Sequence, residues 1–199
     1  MKQRYSSNMK SLPFLFLEMK RTAILLCDGK DKEEILALST KENIYQLDKE
    51  KRRREMPLKM YARLSTLNQA LVDVIARGHD REARIVAFFA MMKSDRLLFE
   101  YMYEVYAGKY AVQDLEIADR DYEDFIDRKI QNSEKVASWK TDNLIRVRSV
   151  IKSTLVEAGL AKKKGSHLEI LAPVVDDDFC NLFDVEDTPY MRAIALLPR

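Results

Sequence analysis

Between residues 140 and 164 the chain carries seven basic residues against two acidic ones, a local charge of +5. Arg146, Ser149 and Ser153 recur there at three- and four-residue intervals, with Asn143 near the start of the run and Arg148 and Lys152 beside it. A guanidinium fork takes phosphate or guanine bidentately, a carboxamide can read adenine, and short hydroxyls let a helix approach closely. Lys162, Lys163 and Lys164 follow beside Gly165, and ammonium groups on flexible stems neutralise phosphates without strict geometry. The chemistry on offer is recognition of a polyanion. A second basic run, Lys51, Arg52, Arg53 and Arg54, is flanked by Glu50 and Glu55. It reads as a second nucleic-acid patch, as a grip on an acidic protein, or as a solvated helix face.

Other chemistries find little to use. A phosphate-cradling loop needs clustered glycines, and Gly29, Gly78, Gly108, Gly159 and Gly165 stand apart. The two histidines, His79 and His167, have no nucleophile in a plausible triad order beside them. Asp176, Asp177 and Asp178 could hold a hard cation, but three acids opening a helix also meet its positive dipole end. Cys27, His79, His167 and Cys180 fit no zinc spacing, and the cysteines are expected reduced among apolar neighbours. We expect no enzyme activity, no metal, no cofactor and no small-molecule substrate.

Net charge is only +2, but it is segregated rather than spread. Residues 49 to 63 carry seven basic against two acidic, residues 114 to 134 eight acidic against three basic, and residues 176 to 187 six acidic and no basic. Local field governs polyanion binding more than the sum does. The longest apolar run, Ile85 to Met92, is less than half of the roughly 20 residues needed to cross a bilayer. Nothing in Met1 to Met9 resembles a signal peptide, so a cytoplasmic location without membrane contact is expected.

The elements that must position these residues are mostly helices, since only 5 Gly and 5 Pro punctuate 199 residues. Ser11 as cap and Gly29 as stop frame a first helix over the run Phe14 to Cys27. Asp31 with Glu34 makes a capping box for a second. A third is expected to start at Asn43 or Asp48 and to be divided by Pro57. Gln69 to Arg77 continues toward a stop at Gly78. Asp80 opens a helix through Met92 and Ser94 caps the next, with Phe88, Phe89, Phe99 and Tyr103 expected near the centre of a bundle. Asp119 is read as the cap of a helix to about Gln131, followed by a short helix from Ser133 to Trp139, with Trp139 anchoring the turn. Thr141 is read as the cap of a helix of about 17 residues ending at Gly159.

On that helix Leu144, Val147, Ile151, Leu155 and Ala158 fall within about 40° of one direction, at about 100° per residue, and Asp142, Arg146, Ser149 and Ser153 lie opposite. A two-stranded hairpin is expected around Gly165, closed by Pro173. Thr188 with Pro189 starts a last helix. Helix, short helix, longer helix and basic hairpin is the chain order of a winged helix-turn-helix. The predicted architecture is mainly α: a bundle over 1–112, a winged-helix-like module over 113–175, and C-terminal helices over 176–199 folding back on the body.

Several segments resemble the BrxA family of BREX bacteriophage-exclusion systems: FLFLEMKRTAILLCDG at Phe14 to Gly29, SDRLLFEYMYEVY at Ser94 to Tyr106, NSEKVASW at Asn132 to Trp139, EAGL at Glu157 to Leu160, and DTPYMRAI near the end. The resemblance covers most of the chain. It implies a non-enzymatic defence factor acting beside methyltransferase, ATPase and phosphatase-like proteins, with a NusB-like helical bundle and affinity for double-stranded DNA. Two functions are thereby expected. In one, the protein engages duplex DNA through the basic helix face and wing, at a salt slope of roughly minus 5 if five or six cations meet phosphates. In the other it is a scaffold or adaptor that joins other BREX proteins without touching DNA.

Overall fold

The computed structural model describes residues 4–6, 9 and 13–197. Its contacts group the chain into two units, Leu15–Ser94 and a second formed by Asp95 to the chain end with the N-terminal segment up to Phe14. The break therefore falls at Ser94, whereas the sequence reading placed one after residue 112.

The first unit is five helices: α1 (Phe16–Cys27), α2 (Lys32–Lys41), α3 (Glu50–Leu64), α4 (Gln69–Arg77) and α5 (Asp80–Ser94). The expected cap Ser11 lies outside the described residues, and α1 begins instead after Leu15, in a left-handed conformation. Gly29 stops α1 as expected: its φ of 81° lets the amides of Gly29 and Lys30 turn back to the carbonyls of Leu26 and Leu25. The capping box of α2 forms, with the Glu34 amide donating to Asp31 and the Asp31 amide to Glu34. In α5 every residue from Ile85 to Met92 is buried, Phe88 and Phe89 completely. That explains a helix without a polar face.

Two expectations fail in α3. Neither Asn43 nor Asp48 starts it. Lys49 is the N-cap, and Asn43 instead accepts the Leu47 amide with its side chain, shaping the preceding loop. Pro57 also leaves the helix undivided from Glu50 to Leu64. A proline removes the amide that the carbonyl four residues earlier needs, here that of Arg53. The hydroxyl of fully buried Ser39, on α2, donates to that carbonyl at 2.6 Å. The α2 neighbour thus supplies the hydrogen bond that α3 cannot.

The second unit opens with a helix in three parts: α6 (Arg96–Tyr101), a π-helical stretch (Met102–Tyr106) and α7 (Ala107–Ala111). Its N-cap is Asp95, which accepts the Leu98 amide, rather than Ser94, which closes α5. Tyr106, the last residue of the widened turn, is fully buried. Tyr101 and Tyr106 are the buried rings here, and Phe99 and Tyr103, expected at the centre, are half-buried, Phe99 stacking on Tyr190. The Tyr106 hydroxyl sits 2.9 Å from the Leu160 carbonyl and 3.1 Å from that of Leu171.

Next come β1 (Glu116–Ile117), α8 (Asp119–Asn132), α9 (Glu134–Ala137), α10 (Thr141–Glu157), β2 (Ala161–Lys164) and β3 (His167–Ile170). Three strands, rather than the expected two, form an antiparallel sheet in the order β1-β3-β2. β1 is only two residues long and carried no alternation to reveal it. The N-caps of α8 and α10 are Ala118 and Lys140, one residue before the expected Asp119 and Thr141. Asp121 takes the Ala118 amide at 2.7 Å and does the capping, which leaves the Asp119 carboxylate for other partners. The chain ends in α11 (Asp177–Cys180), capped by Asp176, and α12 (Thr188–Ala193), whose N-cap is Asp187 rather than Thr188. No helix among the described residues is long and apolar enough to cross a membrane.

Candidate nucleic-acid interface

The frame of the site is the contact of α8 with α10. Tyr122, Phe125 and Ile126 of α8 are buried, as are Val147, Ile151 and Leu155 of α10. The Tyr122 hydroxyl donates to the Leu144 carbonyl at 2.9 Å, and burial pushes that phenol far above its ordinary pKa. At the far end of α10, Gly159 (φ 74°) lets its own amide and that of Leu160 return to the carbonyls of Val156 and Leu155, so the chain turns directly into β2. Val136 of α9 is buried and Trp139 half-buried beside it in the turn.

On the opposite side of α10, Asp142, Arg146, Ser149 and Ser153 are all exposed, as their spacing requires, and Asn143 is half-buried in the first turn. Among the described residues no carboxylate lies within ion-pair distance of Arg146, of Lys163, or of Lys140, which the sequence reading passed over. Ser149 and Ser153 donate back to the Ile145 and Val150 carbonyls, at 3.0 and 3.1 Å. Their oxygens therefore face outward as acceptors.

Arg148 and Lys152 do not join that open face. They lie on the flank of α10 turned toward α8, where Arg148 is 2.9 Å from Glu123 and 3.5 Å from Asp119, and Lys152 is 2.7 Å from Asp119. The hydrogen bond from Lys152, then the Arg148 charge, holds the Asp119 carboxyl below the usual aspartate range.

The three lysines of β2 are divided by the two-residue period of the strand. Lys162 and Lys164 share the face on which Glu169 of β3 lies, 3.1 and 3.6 Å away, and Lys162 holds that carboxyl low. His167 on the same sheet sits 3.3 Å from Glu116 of β1. Lys163 projects from the other face of β2, paired in register with buried Leu168.

The second basic run lies on α3, and its charges are largely spent locally. Arg54 pairs with Glu50 at 2.5 Å and Lys51 with Glu55 at 3.8 Å, while Arg53 donates to the Leu47 carbonyl at 2.7 Å. Arg52 is the exposed member for which no such partner is present among the described residues.

What the arrangement offers is cations and hydroxyl acceptors on an exposed helix, next to a short sheet. A profile of the BrxA family matches residues 3–186, nearly the whole chain. The protein belongs to the BrxA family. A curated relative, the "BREX protein BrxA" of Bacillus cereus (strain H3081.97), is 36% identical over 176 residues, 88% of each chain. The fold is shared by a protein of Magnetospirillum magneticum known by its crystal structure, with a TM-score of 0.80 and 17% identity over 96% of this chain and 98% of that one. In this BrxA-family chain α8, α9, α10 and the sheet all lie within the residues that the family profile matches.

Proposed function

We propose that this BrxA-family protein is a non-enzymatic component of a BREX phage-defence system that binds duplex DNA through α10. In this reading α8, α9, α10 and the β1-β3-β2 sheet are a winged helix-turn-helix, with α10 in the major groove and the β2–β3 turn beside the backbone. The observation that carries it is the exposed row of Arg146, Ser149 and Ser153, with Arg146, Lys140 at the N-terminal end of α10 and Lys163 on the hairpin having no ion-pair partner among the described residues. Asp142 on the same row opposes phosphate, so the contact is modest in strength. With three such cations, log affinity falls with log salt at a slope of roughly minus 3, at about 0.9 per phosphate contact, rather than minus 5.

The test is a mobility shift and a salt titration on duplex DNA. Changing Arg146, Lys140 and Lys163 together to Glu is expected to abolish the shift with circular dichroism unaltered; a shift that survives overturns the reading. A second reading, an adaptor for other BREX proteins, draws on Ile145 and Val156, which are 47% and 41% exposed on the same flank of α10. Apolar side chains there suit a protein groove. Co-purification from cells carrying the system decides it: loss of a partner on changing Ile145 and Val156 to Ser, with no duplex binding in either form, favours the adaptor.

A further inference from the structure

Two pairs of opposite charges repeat at the same four-residue interval on two packed helices: Asp119 and Glu123 on α8, Arg148 and Lys152 on α10. Four-residue spacing stacks each pair along one helix face, and the α8–α10 contact sets the faces against each other. Arg148 lies between both carboxylates, and Lys152 is held by Asp119. Around α10, at about 100° per residue, Lys152 is only about 60° from Ser149, so the array borders the exposed row directly. The cations keep 24% and 31% of their side chains exposed and the acids 48% and 59%. Solvent, and hence a phosphate, can reach the pairs from the acid side.

We infer that Asp119 and Glu123 are resident competitors for the polyanion: they occupy Arg148 and Lys152 in the unbound protein, and a nucleic-acid backbone gains these two cations only by displacing them. The inference rests on the duplex-binding reading above. Pairs this exposed are weak, so displacement is feasible. The counterions behind the salt slope leave the nucleic acid, about one for each phosphate a cation reaches, so cations still held by the acids add nothing to it. The acids thereby lower affinity for every duplex equally, because they act on backbone contacts and not on base edges.

The experiment is fluorescence anisotropy of a labelled short duplex across a salt series, with the full chain, its Asp119→Asn/Glu123→Gln variant, and that variant carrying Arg148→Gln and Lys152→Gln as well. Removing the acids is expected to tighten binding roughly tenfold at low salt and to steepen the slope by about 2, one for each freed cation. Adding the two cation changes is expected to cancel both gains. Should the double acid variant unfold by circular dichroism, Glu123→Gln alone is expected to steepen the slope by less than about 1, because Asp119 still lies 3.5 Å from Arg148. A parent that binds while the acid variant binds with identical affinity and slope overturns the inference and leaves the duplex reading standing. A gain that persists without Arg148 and Lys152 also overturns it, as a general charge effect. Absence of duplex binding in every form overturns both.

Discussion

Single side chains in this protein settle questions that whole segments leave open. The carbonyl of Arg53 has no amide to accept because residue 57 is proline, and one hydroxyl from α2 takes the amide's place. Ser39→Ala is therefore expected to cost about 1–3 kcal/mol, the range for a buried polar group left without its partner, read as a lower urea midpoint at constant m-value. The pairing makes a sharper demand. In a Pro57→Ala background the helix regains its own amide, and the same Ser39→Ala change is expected to cost much less. An equal loss in both backgrounds would show that Ser39 acts by packing alone. Arg146 and Arg148 show a related dependence: two residues apart on α10, one is open to solvent and the other is held between two acids of α8.

Among the elements, α10 and the sheet depend on the turn that joins them. Gly159 holds φ at 74°, a Cβ added there would meet no atom within 4 Å, and its amide and that of Leu160 close the helix. The cost of Gly159→Ala is then backbone strain alone, about 1 kcal/mol, and Gly159→Asn is expected to cost less because Asn tolerates the left-handed region. Thermal unfolding of the two variants checks the order; a larger loss for Asn would mean that the site is crowded after all. The sheet also shows why a run of three lysines is not one patch. Alternation sends Lys162 and Lys164 to Glu169 and leaves Lys163 on the opposite face.

Over the molecule as a whole, carboxylates held by hydrogen bonds, most of them from cations, are expected to shape the acid stability. Hydrogen bonds hold Glu34, Asp73, Asp114, Asp119 and Glu169 below their ordinary pKa values. At Glu100 burial pushes the carboxyl up, but hydrogen bonds from Lys129, Arg96 and Tyr5 outweigh it and the net shift is downward. A group depressed on folding stabilises fully above its unfolded pKa, about 4 for these acids, and loses that contribution as pH falls through the folded value. The melting temperature is therefore expected to hold from neutrality to about pH 5 and to drop below about pH 4. Glu100 is the least exposed of the six, with Lys129 at 2.7 Å and Arg96 at 2.7 Å. Glu100→Gln is expected to flatten that acid slope more than Glu34→Gln does, and an equal effect of the two in a pH series of melts would contradict this.

Local periodicity alone determined most elements of this protein: the α1 stop at Gly29, the α2 capping box, the buried line Val147, Ile151, Leu155 and Ala158, and the exposed row Arg146, Ser149 and Ser153. These follow from 3.6-residue geometry and from groups a few bonds apart, which the order of residues specifies directly. The interval shared by Asp119–Glu123 and Arg148–Lys152 was also present in the sequence, as a signal that two helices could match charges. Whether they do so depends on partners 25 to 33 residues apart, and only packing of α8 on α10 decides that. The same holds for β1, too short to show alternation, and for Ser39 bridging to Arg53. Each is a contact between distant segments, with strength set by burial and geometry that no local pattern contains.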